Sequence, residues 1–415
     1  MAEVKITLDN PFVQSLMNGD ISGFEKLIGK VLNAALEEKA QELLGAGRYE
    51  RTEDRKGYRN GYRSRWIITR LGRIQIRIPQ LRSGEVDTES LRMLPKMERS
   101  LVLGLMEMYI NGVSTRKVSR IMEPLCGENV SKSMVSRLCK ELDHDLTAWN
   151  GRDLSDTPCP VLLADALYVR VRSGHQVIKK AVLTAVGVDE KGYRHILGLS
   201  VAAKESEVTW GEFFSRLRER GLQGVRFVLS DKHEGLVTAS DKAFPSCSWQ
   251  RCQAHFRRNI MAHVPSKRMK EVADDLERIF NAANREDAFA FIDETMDKYE
   301  KDIPEITQML DEGKEDILAV YVLPKKYWKR FRTTNMLERL NEEIRRREKV
   351  VRIFPDDGSV LRLIGSLLIE RDEEWSSGRV YLDMTDYHEA IAFLEKTRQD
   401  GCQVSHKSAP ELQAV

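Results

Sequence analysis

Three acidic residues stand at positions where they could bind metal ions together. Asp165 follows the apolar run 161–164, Asp231 follows the mainly apolar run 225–230, and Glu338 precedes a basic stretch in a segment with helical character. Two aspartates at strand ends and one glutamate on a helix can converge on a pair of divalent cations. Such a pair, roughly 3.5–4 Å apart, stabilises the attacking and leaving oxygens of an in-line phosphoryl transfer. We therefore predict phosphodiester chemistry that depends on two Mg²⁺ (or Mn²⁺) ions per active site.

Each acid also has another interpretation. Asp165 could cap a turn, and Asp231 could cap the N-terminus of the helix that follows it. Glu342 lies one helical turn after Glu338 on the same helical face, so spacing alone does not decide which glutamate is the third acid.

Cys252 and His255 have the spacing of half a zinc site, but no second pair follows at finger-like spacing. We therefore expect no structural zinc. His255 is instead a candidate catalytic residue, as a proton carrier or as a contact to the scissile phosphate. Arg251, Arg257 and Arg258 would place positive charge beside it.

The segment between Arg48 and Arg82 is strongly basic, with eleven Lys or Arg residues against three acids. A local excess of this kind attracts a phosphate backbone, although a solvated loop would have the same composition. Two strands, 66–69 and 73–78, are predicted to form a hairpin that ends at Pro79 and buries the alternating isoleucines of the second strand. The DNA contacts predicted here are Arg59, Arg63 and Arg65.

Residues 98–142 have the pattern of three short helices. Ser114 and Ser131 are the predicted N-caps of the second and third helices, and Gly127 is expected in the turn between them. This pattern suits a helix-turn-helix whose third helix enters the major groove, although helical hairpins also occur in proteins that do not bind DNA. The helices are expected at 101–110, 115–125 and 132–142. The predicted DNA contacts are Lys132, Ser136, Arg137 and Lys140.

Beyond Pro160 the chain becomes rich in strands, then helical, and then returns to an acidic helix. The expected strands are 161–165, 167–171, 179–188, 194–201, 225–230 and 248–251. This order matches an α/β protein with a ribonuclease H-like mixed sheet, in which a central strand, its neighbour and a flanking helix each supply a carboxylate. The basic run Arg345, Arg346 and Arg347 is a candidate phosphate contact or a solvated helix face.

These patterns divide the chain into six predicted segments. They are an N-terminal helical and basic hairpin region (1–95), a helix-turn-helix DNA-binding region (96–150), the first part of the catalytic core (155–261), a helical insertion (262–328), the second part of the core (329–385) and a C-terminal tail (386–415).

Composition excludes a disordered or membrane-embedded protein. The 415 residues are 41% hydrophobic and 31% charged, and no apolar stretch approaches the eighteen or so residues of a transmembrane helix. The net charge of +2 carries little information because the acids and bases nearly cancel. The six cysteines form no CxxC pair, so we expect reduced thiols and a cytoplasmic protein that is nucleoid-associated when bound to DNA.

Taken together, these segments resemble the Mutator-type transposases of bacterial insertion sequences over roughly residues 45–380. The resemblance assigns the DDE triad to Asp165, Asp231 and Glu338, so it selects Glu338 over Glu342. It also makes the Cys-x-x-His pair a family signature. The matching blocks are 49–51, 59–62, 112–118, 165–172, 230–236, 249–255, 334–341, 345–347 and 353–355.

The resemblance implies a metal-dependent transposase whose N-terminal half binds terminal inverted repeats. The enzyme would cut a strand at the element end and use the resulting 3′-hydroxyl to attack target DNA. Because two ends must be joined, we expect a homodimer or a larger homo-oligomer. Two competing hypotheses are a helix-turn-helix regulator with an inactive core and a ribonuclease H-like repair or junction nuclease.

Overall fold

A computed structural model describes residues 10–17, 21–52, 55–69, 72–82, 97–126, 130–245 and 247–399. The chain forms two compact units, residues 1–141 and 142–415. Among the helices of the described residues, none combines the length and the apolar character needed to span a bilayer.

The first unit contains the predicted hairpin. Ile74, Ile76 and Ile78 are buried together with residues of the long helix α2 (Ile21–Leu44), which confirms the predicted alternation. The strands are longer than predicted, and Pro79 lies inside the second strand instead of ending it. It pairs with Tyr62 next to a register shift in the first strand, where a missing N–H is tolerated. These elements are α1 (Asn10–Met17), α2 (Ile21–Leu44), β1 (Tyr58–Thr69) and β2 (Gly72–Arg82).

Three helices follow the hairpin where the sequence predicts them: α3 (Arg99–Ile110), α4 (Thr115–Cys126) and α5 (Lys132–Leu138). Ser131 caps α5 by accepting a 3.2 Å hydrogen bond from the Met134 N–H, and Ser114 accepts one of 3.4 Å from the Lys117 N–H. The third helix is shorter than expected, because a 3-10 turn, Cys139–Glu141, follows it. The predicted turn residue Gly127 lies outside the described residues. A DNA-binding role for these helices stays a prediction.

The second unit is built on a five-stranded mixed sheet. Its strands are β3 (Val161–Ser173), β4 (Gln176–Val188), β5 (Arg194–Ala202), β6 (Phe227–Ser230) and β7 (Ser248–Arg251), in the order β5-β4-β3-β6-β7. The central strand β3 runs antiparallel to β4 and parallel to β6. The two strands predicted at 161–165 and 167–171 are one strand, because pairing with β4 continues without a break through Asp165.

Helices flank this sheet. They are α6 (Leu142–Asn150), α7 (Glu207–Glu219), α8 (Glu234–Ala243), α9 (Gln253–Met261), α10 (Met269–Phe280), α11 (Arg285–Tyr299), α12 (Pro304–Leu318), α13 (Lys325–Phe331), α14 (Asn335–Val351), α15 (Asp357–Ser377) and α16 (Thr385–Gln399). The predicted insertion contains α10 to α12 and the start of α13. Residues assigned to a C-terminal tail instead begin with a helix, α16.

Apolar packing fixes the helices against the sheet. Trp210 of α7 is fully buried and stacks on Phe214 with 5.4 Å between ring centroids. On α15, the Asp372 carboxylate accepts hydrogen bonds from the Ile196 N–H of β5 and from the Arg152 guanidinium. Because a buried carboxylate is costly without such partners, these bonds fix α15 against the edge of the sheet.

Candidate catalytic site

The sheet brings the two predicted aspartates together where the parallel pairing of β3 and β6 ends. The parallel pairing of β3 with β6 ends at Leu163 and Leu229. Asp165 lies two residues after this last pair in β3, and Asp231 lies two residues after it, directly beyond the end of β6. Their carboxylates therefore emerge side by side where the parallel pairing stops, although Asp165 lies inside β3 and not at its end. Asp231 does not cap α8, whose N-cap residue is His233.

The helix that carries Glu338, α14, is attached to the sheet strands at both ends. Before its first turn, the N–H and the hydroxyl of Thr334 each donate to the Cys252 sulfur at 3.3 Å. The Cys252 N–H in turn donates to the Ser230 carbonyl at the end of β6. After the helix, the Phe354 N–H donates to the Arg170 carbonyl of β3 at 2.8 Å. These contacts hold α14 across the edge where the two aspartates emerge.

One face of α14 therefore points at the aspartates. The Asn341 side-chain N–H donates to an Asp165 carboxylate oxygen at 2.6 Å. Three residues earlier, the Glu338 carboxylate lies 3.4 Å from His255 Nε2 and 3.6 Å from an Arg258 nitrogen. The third predicted acid thus shares a helix face with a direct partner of the first.

The neighbouring glutamates point elsewhere. Glu342, which spacing alone could not distinguish from Glu338, is exposed. Glu343 pairs with Arg371 of α15 at 2.9 Å. The contacts with His255 favour Glu338 as the third acid.

His255 lies between two of the acids. Its Nδ1 contacts the Asp231 carboxylate, and its Nε2 faces Glu338. The hydrogen bond to Asp231, followed by that to Cys252, raises the pKa of His255 to about 10. At neutral pH the imidazole is therefore protonated and supplies a positive charge between Asp231 and Glu338.

Asp165 is in the opposite electrostatic situation. Burial, and then the negative charge of Asp231, raise the pKa of Asp165 to about 7. Hydrogen bonds from the Ala166 N–H and from Asn341 act against this rise but are too weak to cancel it. The carboxylates of Asp165 and Asp231 repel each other when both are ionised, and a bound cation would offset this repulsion.

The donor atoms allow a distinction between kinds of metal. Asp165, Asp231 and Glu338 offer only oxygen, which Mg²⁺ and Mn²⁺ prefer. In the described part of the chain, the group of three potential ligands whose donor atoms all lie within 4.8 Å of one another is a different one, Asp231, Cys252 and His255. Asp231 belongs to both sets. The all-oxygen set fits a magnesium-type cation in ligand chemistry, while the mixed set links Asp231 to α14 through Cys252.

Cys252 acts as a hydrogen-bond acceptor here. Burial alone would raise the pKa of the Cys252 thiol, but hydrogen bonds with His255 and Thr334 outweigh it and lower the pKa. The spacing of Cys252 and His255 marks this cysteine in the sequence, but its contact with Thr334 was not predicted. The Asn341 contact was also missed, although its position three residues after Glu338 put it on the right helix face.

The predicted phosphate contacts of the second unit differ in their exposure. Arg251 is buried, with its guanidinium 4.5 Å from the centre of the Phe256 ring. It would have to leave this position to contact a phosphate. The exposed or partly exposed members of the set are Arg257, Arg258, Arg345, Arg346 and Arg347.

The predicted DNA contacts of the first unit also differ in how available their side chains are. The Arg59 guanidinium pairs with Glu37 of α2, which leaves it less available for a phosphate. The side chain of Lys132 lies outside the described residues. The members with exposed or partly exposed side chains are Arg63, Arg65, Ser136, Arg137 and Lys140. Contact of these residues with DNA stays a prediction.

Comparison with known proteins decides the family. The sequence matches the family profile described as "Transposase, Mutator family" over residues 2–378. This chain belongs to the Mutator family of transposases. The predicted family resemblance is thereby confirmed.

Relatives of this Mutator-family chain match it over nearly their whole length. It is 41% identical to the transposase for insertion sequence element ISRM5 of Rhizobium meliloti, with 91% of this chain and 94% of that protein covered. It is 40% identical to the transposase for IS256 in transposon Tn4001 of Staphylococcus aureus, covering 92% and 99%. The transposase for IS1081 of Mycobacterium tuberculosis is 38% identical, covering 91% of each chain.

Proposed function

We propose that this Mutator-family protein is the DDE transposase of an insertion sequence. It binds the terminal inverted repeats of the element, cuts a DNA strand at the element end and joins the 3′-hydroxyl to target DNA. The observation that carries the proposal is the arrangement of Asp165, Asp231 and Glu338. Asp165 in β3 and Asp231 just after β6 lie side by side, and His255 contacts both Asp231 and Glu338.

The sheet topology supports a ribonuclease H-like core. Three antiparallel strands, β5-β4-β3, continue into two strands parallel to β3, and a helical segment separates β7 from the acidic helix α14. In such a core the carboxylates come from the central strand, its neighbour and a flanking helix, which are the positions of the three acids here.

Asp165, Asp231 and Glu338 would hold Mg²⁺ or Mn²⁺. Two such ions, when bound, would activate the attacking oxygen and stabilise the leaving oxygen of an in-line displacement. The protein's own part is to orient the carboxylates. Asn341 fixes Asp165, and His255 contacts one oxygen each of Asp231 and Glu338. Contacts of this kind with ligating carboxylates keep a metal site in shape.

DNA recognition is assigned to the first unit. Its hairpin has Arg73 and Arg77 stacked on Trp66 and Tyr62, at 4.6 and 4.8 Å from the ring centres. Its α5 has exposed Arg137 on the predicted groove-facing side. Because transposition joins two element ends, the working unit would be a homodimer or a larger homo-oligomer.

The test uses four single variants and a DNA substrate that carries the element's inverted repeats. Asp165→Asn, Asp231→Asn and Glu338→Gln should each abolish Mn²⁺- or Mg²⁺-dependent cleavage and strand joining, by at least a factor of a hundred. Binding to the repeats, followed by gel shift in EDTA, should persist. Glu342→Gln is the matched control on the same helix and should cut normally.

Three outcomes would contradict the proposal. Normal cleavage by Glu338→Gln together with loss in Glu342→Gln would reassign the third acid. Metal-dependent cutting by the wild type without joining of 3′-hydroxyl ends would indicate a nuclease. Repeat binding by the wild type without any cutting would indicate a regulator.

A further inference from the structure

A basic cavity lies beside α14, the helix that carries Glu338. Residues Met336, Leu340 and Glu343 of α14 border a cavity of about 510 Å³. At 100° per residue, this stripe faces away from the stripe that contains Glu338 and Asn341. Five basic side chains line the cavity against a single acid, Glu343. They are Arg194, Lys329, Arg330, Arg339 and Arg371.

Aromatic rings hold part of this charge in place. The Arg194 guanidinium lies 4.3 Å from the centre of the Trp375 ring and 4.8 Å from that of Tyr381. Tyr381 also contacts the Arg330 guanidinium at 5.0 Å. These cation–π contacts order two guanidinium groups before any ligand arrives, which lowers the entropy cost of binding.

Most of the charge in this cavity lacks a counterion. Arg371 pairs with Glu343. Within the described ranges, however, no carboxylate lies within salt-bridge distance of Arg194, Lys329, Arg330 or Arg339. The Arg194 Nε is buried and has no hydrogen-bond partner there. Burial lowers the pKa of Arg194, and the nearby Arg330 lowers it further. Positive groups arranged in this way are stabilised by an anion.

We propose that this cavity binds phosphate groups of the DNA backbone. The exposed cations Lys329, Arg330 and Arg339 extend along α13 and α14, an arrangement that suits a run of phosphates more than a single one. An α-helix is only about 10–12 Å across, so DNA that reaches the acids on one face of α14 can continue to the other. The identity of the ligand as DNA rests on the proposed function, whereas its phosphate chemistry follows from the cavity.

The experiment measures binding of the full-length protein to a fluorescent 30-base-pair duplex of unrelated sequence, in EDTA, over a range of salt concentrations. The test variant combines Arg330→Gln with Arg339→Gln, because both side chains are exposed and their loss leaves no cavity in the core. The control combines Lys270→Gln with Lys301→Gln, which removes the same charge from exposed positions outside the cavity. Thermal unfolding of all three proteins checks that the fold is kept.

The logarithm of the DNA-binding constant falls linearly with the logarithm of the salt concentration, and each phosphate contact makes this slope steeper by about 0.9. The test variant should therefore lose roughly two units of slope and bind about tenfold or more weakly at low salt, while the control should match the wild type. Equal slopes for the test and control variants would overturn the proposal. If the test variant does not fold, Arg339→Gln alone should still lose roughly one unit.

Two further measurements distinguish DNA from free polyphosphate as the ligand, and distinguish the phosphate-site proposal from the DDE transposase proposal. Tripolyphosphate should stabilise the wild type only weakly. The DNA assignment would be overturned if tripolyphosphate stabilised the wild type strongly, and if the test variant lost this stabilisation while binding DNA as the wild type does. The ligand would then be a free polyphosphate. A wild type that never cleaves repeat DNA, combined with the slope loss, would reject the DDE transposase and keep the phosphate site.

Discussion

Neutralising Asp165 should make the metal-free protein more stable. In the folded protein, burial and the charge of Asp231 raise the pKa of Asp165 from 3.8 to about 7. Between these two values the folded state binds more protons than the unfolded state, so stability must fall as the pH rises. Above pH 7 the ionised carboxylate imposes its full penalty. Asp165→Asn removes this penalty and keeps an oxygen that can accept from Asn341.

The magnitude follows from the shift and from what the variant loses. A rise of about three pKa units corresponds to at most about 4 kcal/mol, since one unit is about 1.4 kcal/mol. The asparagine cannot accept from both Asn341 and the Ala166 N–H, and a lost hydrogen bond to a charged group costs about 1.5–3 kcal/mol. The expected net gain at pH 8 is on the order of 1–2 kcal/mol. For a unit of this size that corresponds to roughly 2–6 °C in melting temperature.

The assay is thermal unfolding of both proteins in EDTA at pH 5, 6, 7 and 8. The stability difference in favour of Asp165→Asn should grow with pH up to about 7 and then stay constant. Adding Mg²⁺ should stabilise the wild type and not the variant. Asp241→Asn, at an exposed position, is the control and should track the wild type at every pH. A variant that is no more stable than the wild type at pH 8 would refute the predicted repulsion.

Three other predictions concern the same unit. The affinity for Mg²⁺ should rise as the pH rises through about 7, and binding should release protons, because Asp165 must ionise to bind the ion. Calorimetry in buffers of different ionisation enthalpy measures both quantities. Binding that does not depend on pH would contradict this prediction. Asn341→Leu should lower cleavage about tenfold while repeat binding stays unchanged, since it removes the hydrogen bond that orients Asp165; full activity would show that Asn341 does not orient it. Gly235→Val should destabilise the protein by more than about 2 kcal/mol in denaturant unfolding, because the valine side chain would collide with the Glu207 backbone. Unchanged stability would mean that α7 and α8 can move apart.

The sequence predicted the strands and the candidate acids because both signals are local. Apolar runs before Asp165 and Asp231 indicated neighbouring buried strands, and β6 ends one residue before Asp231. The continuation of β3 past Asp165 was not predicted, because a charged residue interrupts the apolar pattern there. Only the pairing with β4, through Thr184 opposite Asp165, shows that the strand goes on.

The contacts that orient the acids could not be predicted from local pattern. Thr334 and Cys252 are 82 residues apart, and Asn341 and Asp165 are 176 apart. Each contact depends on how a helix lies on the sheet, which spacing along the chain does not encode. The helix α16 was not predicted either, although its buried residues Tyr387 and Ala390 lie three apart.

The arrangement of hydrogen bonds explains how a metal-free site can stay intact with acids so close together. His255, protonated at neutral pH, supplies a positive charge to Asp231 and Glu338. Among the described residues, the hydrogen-bond partners of Asp165 are the neutral Asn341 and Ala166 N–H, and burial and the charge of Asp231 raise its pKa even though the charge of His255 lowers it. The acid in the central strand therefore ionises at a cost. Because a cation bound there would offset this cost, metal binding and the ionisation of Asp165 must be coupled.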